Sequence, residues 1–207
     1  MQNIVLQNIK PNYLENISGS DVYGKVLQLD KGKYIHIEAP SGTGKTTLLH
    51  IIYGINNLYS GKVLWDNNLA PDYNIIRQFY LSVVFQDLRL IQDVTVQDNI
   101  VLKNQLTNHK TIDEIMQMLQ FLGVDMHWDK ITHQLSRGEQ QRVAIVRALC
   151  MPFSFLILDE VMSHLDEQNR LKVADLIHQE CAKNGAGLVM LNLYKDNYFN
   201  YHTFYHL

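Results

Sequence analysis

The chain has 207 residues, enough for one hydrophobic core and within the range of a single domain. A hydrophobic share of 46% against 19% charged, with 11 Gly and 4 Pro, excludes a disordered or low-complexity protein. A formal net charge of -3 without a run of Lys or Arg leaves no basic footprint, so nucleic acid is not expected as a partner.

The start, M-Q-N-I-V-L-Q-N-I-K, lacks a basic segment followed by a long apolar one, and no stretch approaches the length of a membrane span, so a cytoplasmic protein is expected. Strand-like runs follow at I4-V5-L6, V26-L27-Q28-L29 and Y34-I35-H36-I37, the last two joined by the turn D30-K31-G32-K33, and read together as a small sheet. From residue 46 helical and strand runs alternate: T47 to Y53 closes at Gly54, K62-V63-L64-W65 is a short strand, and L81 to F85 is another. This alternation predicts an α/β sheet. Residues 95 to 150 turn helical, with capping-box patterns at T95-V-Q-D98 and T111-I-D-E114 and an apolar stripe Ile112, Ile115, Met116, Leu119 and Leu122 expected in the core. After F155-L156-I157-L158 come a helix over roughly 167 to 183 and the strand G187-L-V-M-L-N192. Cys150 and Cys181 lie in apolar helical patterns outside any Cys-x-x-Cys pair and read as buried thiols. Nine scattered histidines show no ligand spacing for a transition metal.

The segment A39-P-S-G-T-G-K-T-T47, after a strand and before a helix, has the context of a phosphate loop. Gly42 and Gly44 let successive N–H groups turn inward, Ser41, Thr43 and Thr47 complete the loop, Lys45 would reach the phosphates, and Thr46 would ligate Mg²⁺. Ala39 stands where the pattern has its first Gly. The apolar strand before Asp159 and Glu160 gains meaning from that loop: Asp159 would order Mg²⁺ and Glu160 would polarise the attacking water.

L135-S-R-G-E-Q-Q-R142 opens an amphipathic helix some twenty residues earlier, and S163-H-L-D166 follows the carboxylates closely. Phosphate loop, Gln86 at a strand end, the L-S-x-G-E-Q helix start, D-E and S-x-L-D together resemble, in order and spacing over nearly the whole chain, the ATP-binding cassette (ABC) ATPases. The wording around them is most similar to the small bacterial lipoprotein-releasing, macrolide-export and cell-division cassettes. The resemblance implies a P-loop NTPase core with a mainly parallel sheet, an N-terminal antiparallel β part and a helical subdomain at about 87–150. It also implies ATP and Mg²⁺ as cofactors, with Gln86 a Mg²⁺ and water ligand and Tyr13, or in reserve Tyr23, stacking on adenine. Two cassettes, as a homodimer or with another cassette, would enclose ATP head to tail, Ser136, Gly138 and Glu139 of one meeting the nucleotide of the other. Arg137, where the family usually has Gly, reads as a solvated side chain, with a cation near the γ-phosphate as the alternative. An integral membrane permease-like subunit would dock near residues 86 to 135 and hold the protein on the inner face of the membrane.

Counted from S-x-L-D, the family's switch histidine falls on Leu193, and the Pro after the catalytic Glu is Val161. Leucine can neither contact a γ-phosphate nor orient water, and the loss of one such contact typically slows a reaction about 10²–10³-fold. Slow hydrolysis is therefore expected, with a nucleotide-gated module of little turnover as the competing function.

Overall fold

Strand character here follows burial on one face or two. The structure, a computed structural model, describes residues 1–15, 17–69 and 72–207. Of strands β1 (Asn3–Pro11) and β2 (Val26–Asp30), β2 alternates buried and exposed residues, placing Leu27 and Leu29 inward opposite Leu6 and Ile4, while β1 buries Ile4, Val5 and Leu6 in succession and alternates only toward its end. Strand β3 (Tyr34–Glu38) instead buries four consecutive residues, Tyr34 to Ile37. That difference separates it from the sheet the sequence pattern assigned it to, because a strand covered on both faces belongs in a parallel sheet. Strands β4 (Tyr59–Trp65) and β5 (Asn68–Leu69) complete an antiparallel sheet of order β2-β1-β4-β5. Strands β6 (Leu81–Val84), β7 (Phe155–Asp159), β8 (Gly187–Asn192) and β9 (Thr203–His206) form with β3 a parallel sheet of order β6-β7-β8-β3-β9.

Helix α1 (Lys45–Ile52) follows β3, and α2 (Tyr73–Phe79) precedes β6. Then come α3 (Val96–Asn104), α4 (Ile112–Phe121), α5 (Arg137–Leu149) and α6 (Glu167–Asn184). Both capping boxes expected at Thr95 and Thr111 are present with their reciprocal hydrogen bonds. In α4, Ile115, Leu119 and Leu122 are buried as the stripe requires, but Ile112, the helix's first residue, lies beyond the edge of the core at 51% exposure, and Met118 is buried in the same core. Cys150 and Cys181 are buried and free.

The parallel sheet separates two cores. Leu156 and Leu158 of β7 join the helices α3 to α6 on one face, while Phe155 and Ile157 join α1 and the antiparallel sheet on the other. The strands run parallel in the register Val84↔Leu158, Asp159↔Leu191 and Asn192↔Glu38. The residues that follow them, Gln86, Glu160, Leu193 and Ala39, therefore gather at one edge of the sheet, the edge where such folds bind ligands. Among the described residues no helix is long and apolar enough to cross a membrane.

Candidate functional site

Helix α1 begins on Gly44, at φ 97°, with no side chain on its first N–H groups. Side chains of Asp72, Thr95, Thr111, Ser136 and Asp166 cap the other five helices. The open end of α1 thus offers unpaired donors and the positive end of its dipole to an anion. Gly42 (φ 84°) and Gly44 hold backbone conformations that side chains rarely adopt, and a Cβ on Gly44 would meet the Tyr23 hydroxyl at 2.9 Å. Thr43 closes the loop by donating from Oγ1 to the Pro40 carbonyl at 2.8 Å, while Ser41 and Thr46 are exposed.

Under this loop lies Lys45, 8% exposed, ion-paired with Glu160 and at 3.3 Å from Oδ1 of Asp159. Burial pushes the Asp159 carboxyl above the usual carboxylate range, and Lys45 holds it part-way down. Gln86 Nε2 donates to Glu160 Oε2 at 2.9 Å, so the amide and the ammonium converge on one carboxylate. The backbone of Glu160 is itself unusual, a non-glycine at φ 52°. Such a conformation costs about 1–2 kcal/mol and is held here by several bonds. Its N–H donates to the Leu191 carbonyl at 3.0 Å, and its own carbonyl accepts from Ser163 Oγ at 3.0 Å and Gln141 Nε2 at 3.4 Å.

Leu193, one residue past β8, shares with Glu160 and Ser163 the wall of an open cavity of about 550 Å³. Among the described residues no imidazole lines that cavity; the segment after Leu193 folds back on itself instead. Asp196 accepts from the Tyr201 hydroxyl at 2.7 Å, from the Tyr198 N–H at 3.1 Å and from the Asn192 side chain, and its Oδ2 lies 3.7 Å from the buried His36 ring. Val161 is fully buried in the helical core.

Ser136 caps α5 in a capping box with Glu139. Burial pushes the Glu139 carboxyl up, but hydrogen bonds from the Ser136 side chain and backbone and from His127 Nε2 (2.9 Å) outweigh it and bring Glu139 to about 2. Gly138 packs close to the Ser163–Asp166 segment: a Cβ there would lie 3.0 Å from the His164 carbonyl. Arg137 is exposed but not merely solvated, since its guanidinium donates to the Gln86 carbonyl at 2.8 Å. The two tyrosines differ. Tyr13 is 58% exposed with its hydroxyl 2.8 Å from Thr47 Oγ1, whereas Tyr23 is buried and donates to the Gly44 carbonyl at 2.8 Å. Only Tyr13 presents a free ring beside the loop. The support supplied by His127 left no trace in motif spacing, and Ser163 and Tyr23 were noted there without the bonds they make.

Residues 24–163 match the family model described as ABC transporter. The chain is 29% identical over 192 residues to the lipoprotein-releasing system ATP-binding protein LolD of Rickettsia felis, covering 91% of this chain and 87% of that protein. It is 29% identical over 197 residues to the Fe(3+) ions import ATP-binding protein FbpC of Fusobacterium nucleatum subsp. nucleatum, 94% of this chain but 52% of the relative, so it spans about half the length of that protein. Among solved structures, the dimeric structure of MJ0796, a bacterial ABC transporter cassette, superposes with a TM-score of 0.79 at 26% identity over 92% of this chain and 88% of that one. A dimeric post-hydrolysis state of the same cassette bound to ADP and Pi gives 0.78 at 26% identity over 91% and 87%.

Proposed function

The chain belongs to the ABC transporter family of ATP-binding cassettes, and we propose that it is the ATP-binding and slowly hydrolysing subunit of a bacterial complex, pairing head to tail around Mg-ATP and driving a separate membrane partner. The observation that carries this reading is the convergence of Lys45, Asp159, Glu160 and Gln86 beneath an uncapped helix N-terminus. A triphosphate on the loop would draw the Lys45 ammonium to its oxygens and release Glu160. Freed from the ion pair, the Glu160 carboxylate is able to accept a proton from water, with Gln86 left to orient it. The exposed Tyr13 ring stands where an adenine could stack. The Ser136 turn, with Gly138 and Glu139, would close over the nucleotide of the second cassette; that the MJ0796 cassette is dimeric supports the pairing.

Mg²⁺ fits the donors present. Among the described residues, Oδ1 of Asp159 is buried and receives no hydrogen bond, lying 3.3 Å from the Lys45 ammonium. With the Thr46 hydroxyl and the Gln86 amide oxygen it makes a small set of hard oxygen ligands, the kind Mg²⁺ uses together with substrate phosphates. The ion would neutralise phosphate charge. It needs no wider cluster of protein ligands, and none of three or more His, Cys, Asp or Glu occurs among the described residues.

Leu193 sets the rate. Its side chain borders the same cavity as Glu160 and brings no hydrogen-bonding atom to it, so Lys45 and the trans turn supply binding while one transition-state contact is missing. That feature also favours the second reading, in which ATP binding and pairing signal without meaningful turnover. Attachment to the inner face of the membrane would pass through the partner, seated near the Gln86 joint. Its cargo is open to lipoprotein, as the LolD name indicates for that relative, or to force transmission alone. The deciding experiment is steady-state Mg-ATP hydrolysis by the wild type beside Leu193→His and Glu160→Gln. Wild-type turnover slightly above Glu160→Gln and raised by the histidine is expected; brisk wild-type turnover unchanged by the histidine sinks the slow-hydrolysis reading.

A further inference from the structure

His164, exposed in the loop between β7 and α6, has no part in the chemistry described so far. Its ring is nonetheless held. Ser163 Oγ lies 3.0 Å from the Glu160 carbonyl and 2.9 Å from His164 Nδ1. A carbonyl can only accept and a hydroxyl has one proton to give, so Ser163 donates to Glu160 and accepts from His164. The proton of the neutral ring therefore sits on Nδ1, and Nε2 keeps a free lone pair. The loop is fixed on its far side as well, because Leu165 is buried and Asp166 caps α6. One hydroxyl thus ties the imidazole to the backbone of Glu160.

In its own copy the ring stands outside the cavity that Glu160 and Leu193 share, which Ser163 lines and His164 does not. It borders the Ser136 turn instead. A Cβ on Gly138 would lie 3.0 Å from the His164 carbonyl and 3.7 Å from the Leu165 side chain. Ser136, Arg137 and His164 are all exposed, so the turn and the loop make one continuous surface. Whatever meets Ser136 has His164 beside it. In head-to-tail pairing that is the nucleotide of the other copy, and two-fold symmetry gives both sites the same contact. The open cavity there, about 550 Å³, has room for a side chain from outside, and its leucine brings no polar atom.

We propose that His164 is a catalytic residue supplied in trans: its Nε2 accepts a hydrogen bond from the attacking water in the other copy's site, where the ring rests against the partner's Leu193. The inference rests on the reading of the chain as a head-to-tail ATPase and deepens it. The water oxygen bonds the γ-phosphorus while the bond from that phosphorus to the β–γ bridging oxygen breaks, and ADP leaves with the electron pair. One water proton passes to Glu160 of the partner subunit; the other, aimed at His164, stays on the new phosphate. With its own proton held by Ser163, the neutral ring has none to give the γ-phosphate. It restores half of what Leu193 lacks, which keeps hydrolysis slow rather than absent.

Placement is tested by cross-linking, since Cys150 and Cys181 are buried. In a Glu160→Gln background, His164→Cys on one tagged copy and Leu193→Cys on another should be joined by a short bis-methanethiosulfonate linker when Mg-ATP is added. For function, His164→Ala should lose the whole margin by which the wild type exceeds Glu160→Gln in single-turnover release of labelled phosphate. In a Leu193→His background, where the site carries its own imidazole, that loss should shrink to about twofold or less. Mixed pairs purified through two tags separate trans from cis. Glu160→Gln beside His164→Ala leaves one whole site and half the wild-type margin, whereas both substitutions on one copy beside a wild-type copy leave none. If pairs form with Mg-ATP but positions 164 and 193 do not link, or the two mixed pairs hydrolyse alike, the inference falls and the pairing stands. A loss equally deep in the Leu193→His background would mark a structural role through Ser163 and overturn it too. If light scattering finds no Mg-ATP-dependent pair, the reading beneath falls and takes the inference with it.

Discussion

Strands β7 and β8 lie side by side in parallel, Asp159 opposite Leu191, and their tips have opposite characters. The β7 tip gathers its polar groups at the proposed nucleotide site: Asp159 and Glu160 meet Lys45, Gln86 donates to Glu160, and the Glu160 backbone is held in a left-handed conformation. The β8 tip turns its polar groups inward. Asn192, the Tyr198 N–H and the Tyr201 hydroxyl all bond Asp196, and Leu193 brings an apolar side chain to the cavity that Glu160 also lines. Adjacent strands with the same pairing thus separate chemistry from fastening.

Removing the centre of the first tip should have the largest effect. Lys45→Ala leaves two carboxylates without their cation and the loop without its phosphate ligand, and ATP hydrolysis is expected to fall about 10³-fold or further. ATP binding by equilibrium dialysis should weaken with it; unchanged binding would remove Lys45 from the site. The next largest effect runs the other way. Leu193→His should raise turnover by as much as about 10²-fold, but not in a Glu160→Gln background, because two groups serving one step are not additive. A gain that persists without Glu160 would break the pairing of the tips. Third, Asp196→Ala leaves the Tyr201 hydroxyl and Tyr198 N–H without their acceptor and should cost about 1–3 kcal/mol, a fall in melting temperature of roughly 2–4 °C per kcal/mol. A full loss of ATP hydrolysis in a stable Asp196→Ala protein would show that the second tip carries chemistry after all.

Much of the first tip was legible in the sequence because its parts are local. The phosphate loop spans nine consecutive residues, and the carboxylates end an apolar run that can only be a buried strand. At the second tip the sequence offered only a leucine where the family resemblance places a histidine, and nothing of the structure, since the bonds to Asp196 depend on side chains whose pairing leaves no periodic mark. The same holds for Arg137 and Gln86, 51 residues apart. Strand β3 was assigned to the wrong sheet because it lies a short turn after β2, and its burial on both faces is visible only in the structure. Helix α2 spans seven residues and β9 four mostly exposed ones; both are too short for periodicity to show and are held by what they pack or pair against.

The smallest effect tests whether the contrast between the tips is confined to them. Glu139 sits at the start of α5, away from both strands, and its carboxylate is stabilised by Ser136 and His127, so its folded value of about 2 lies below the ordinary 4.5. A depressed carboxylate contributes stability that is complete above its unfolded value and disappears as pH falls through the folded one. Glu139→Gln keeps the shape and loses the charge, which should lower stability by about 1 kcal/mol at neutral pH. The gap between variant and wild type should then narrow between pH 4.5 and about 2, where the wild-type carboxylate takes up its proton. Thermal melts across that range measure it. Turnover per closed pair should change little, because the Ser136 turn keeps its hydroxyl and N–H donors; a loss as deep as that of Lys45→Ala would mean that α5 carries a reacting group, and that the two strand tips alone do not divide the chemistry.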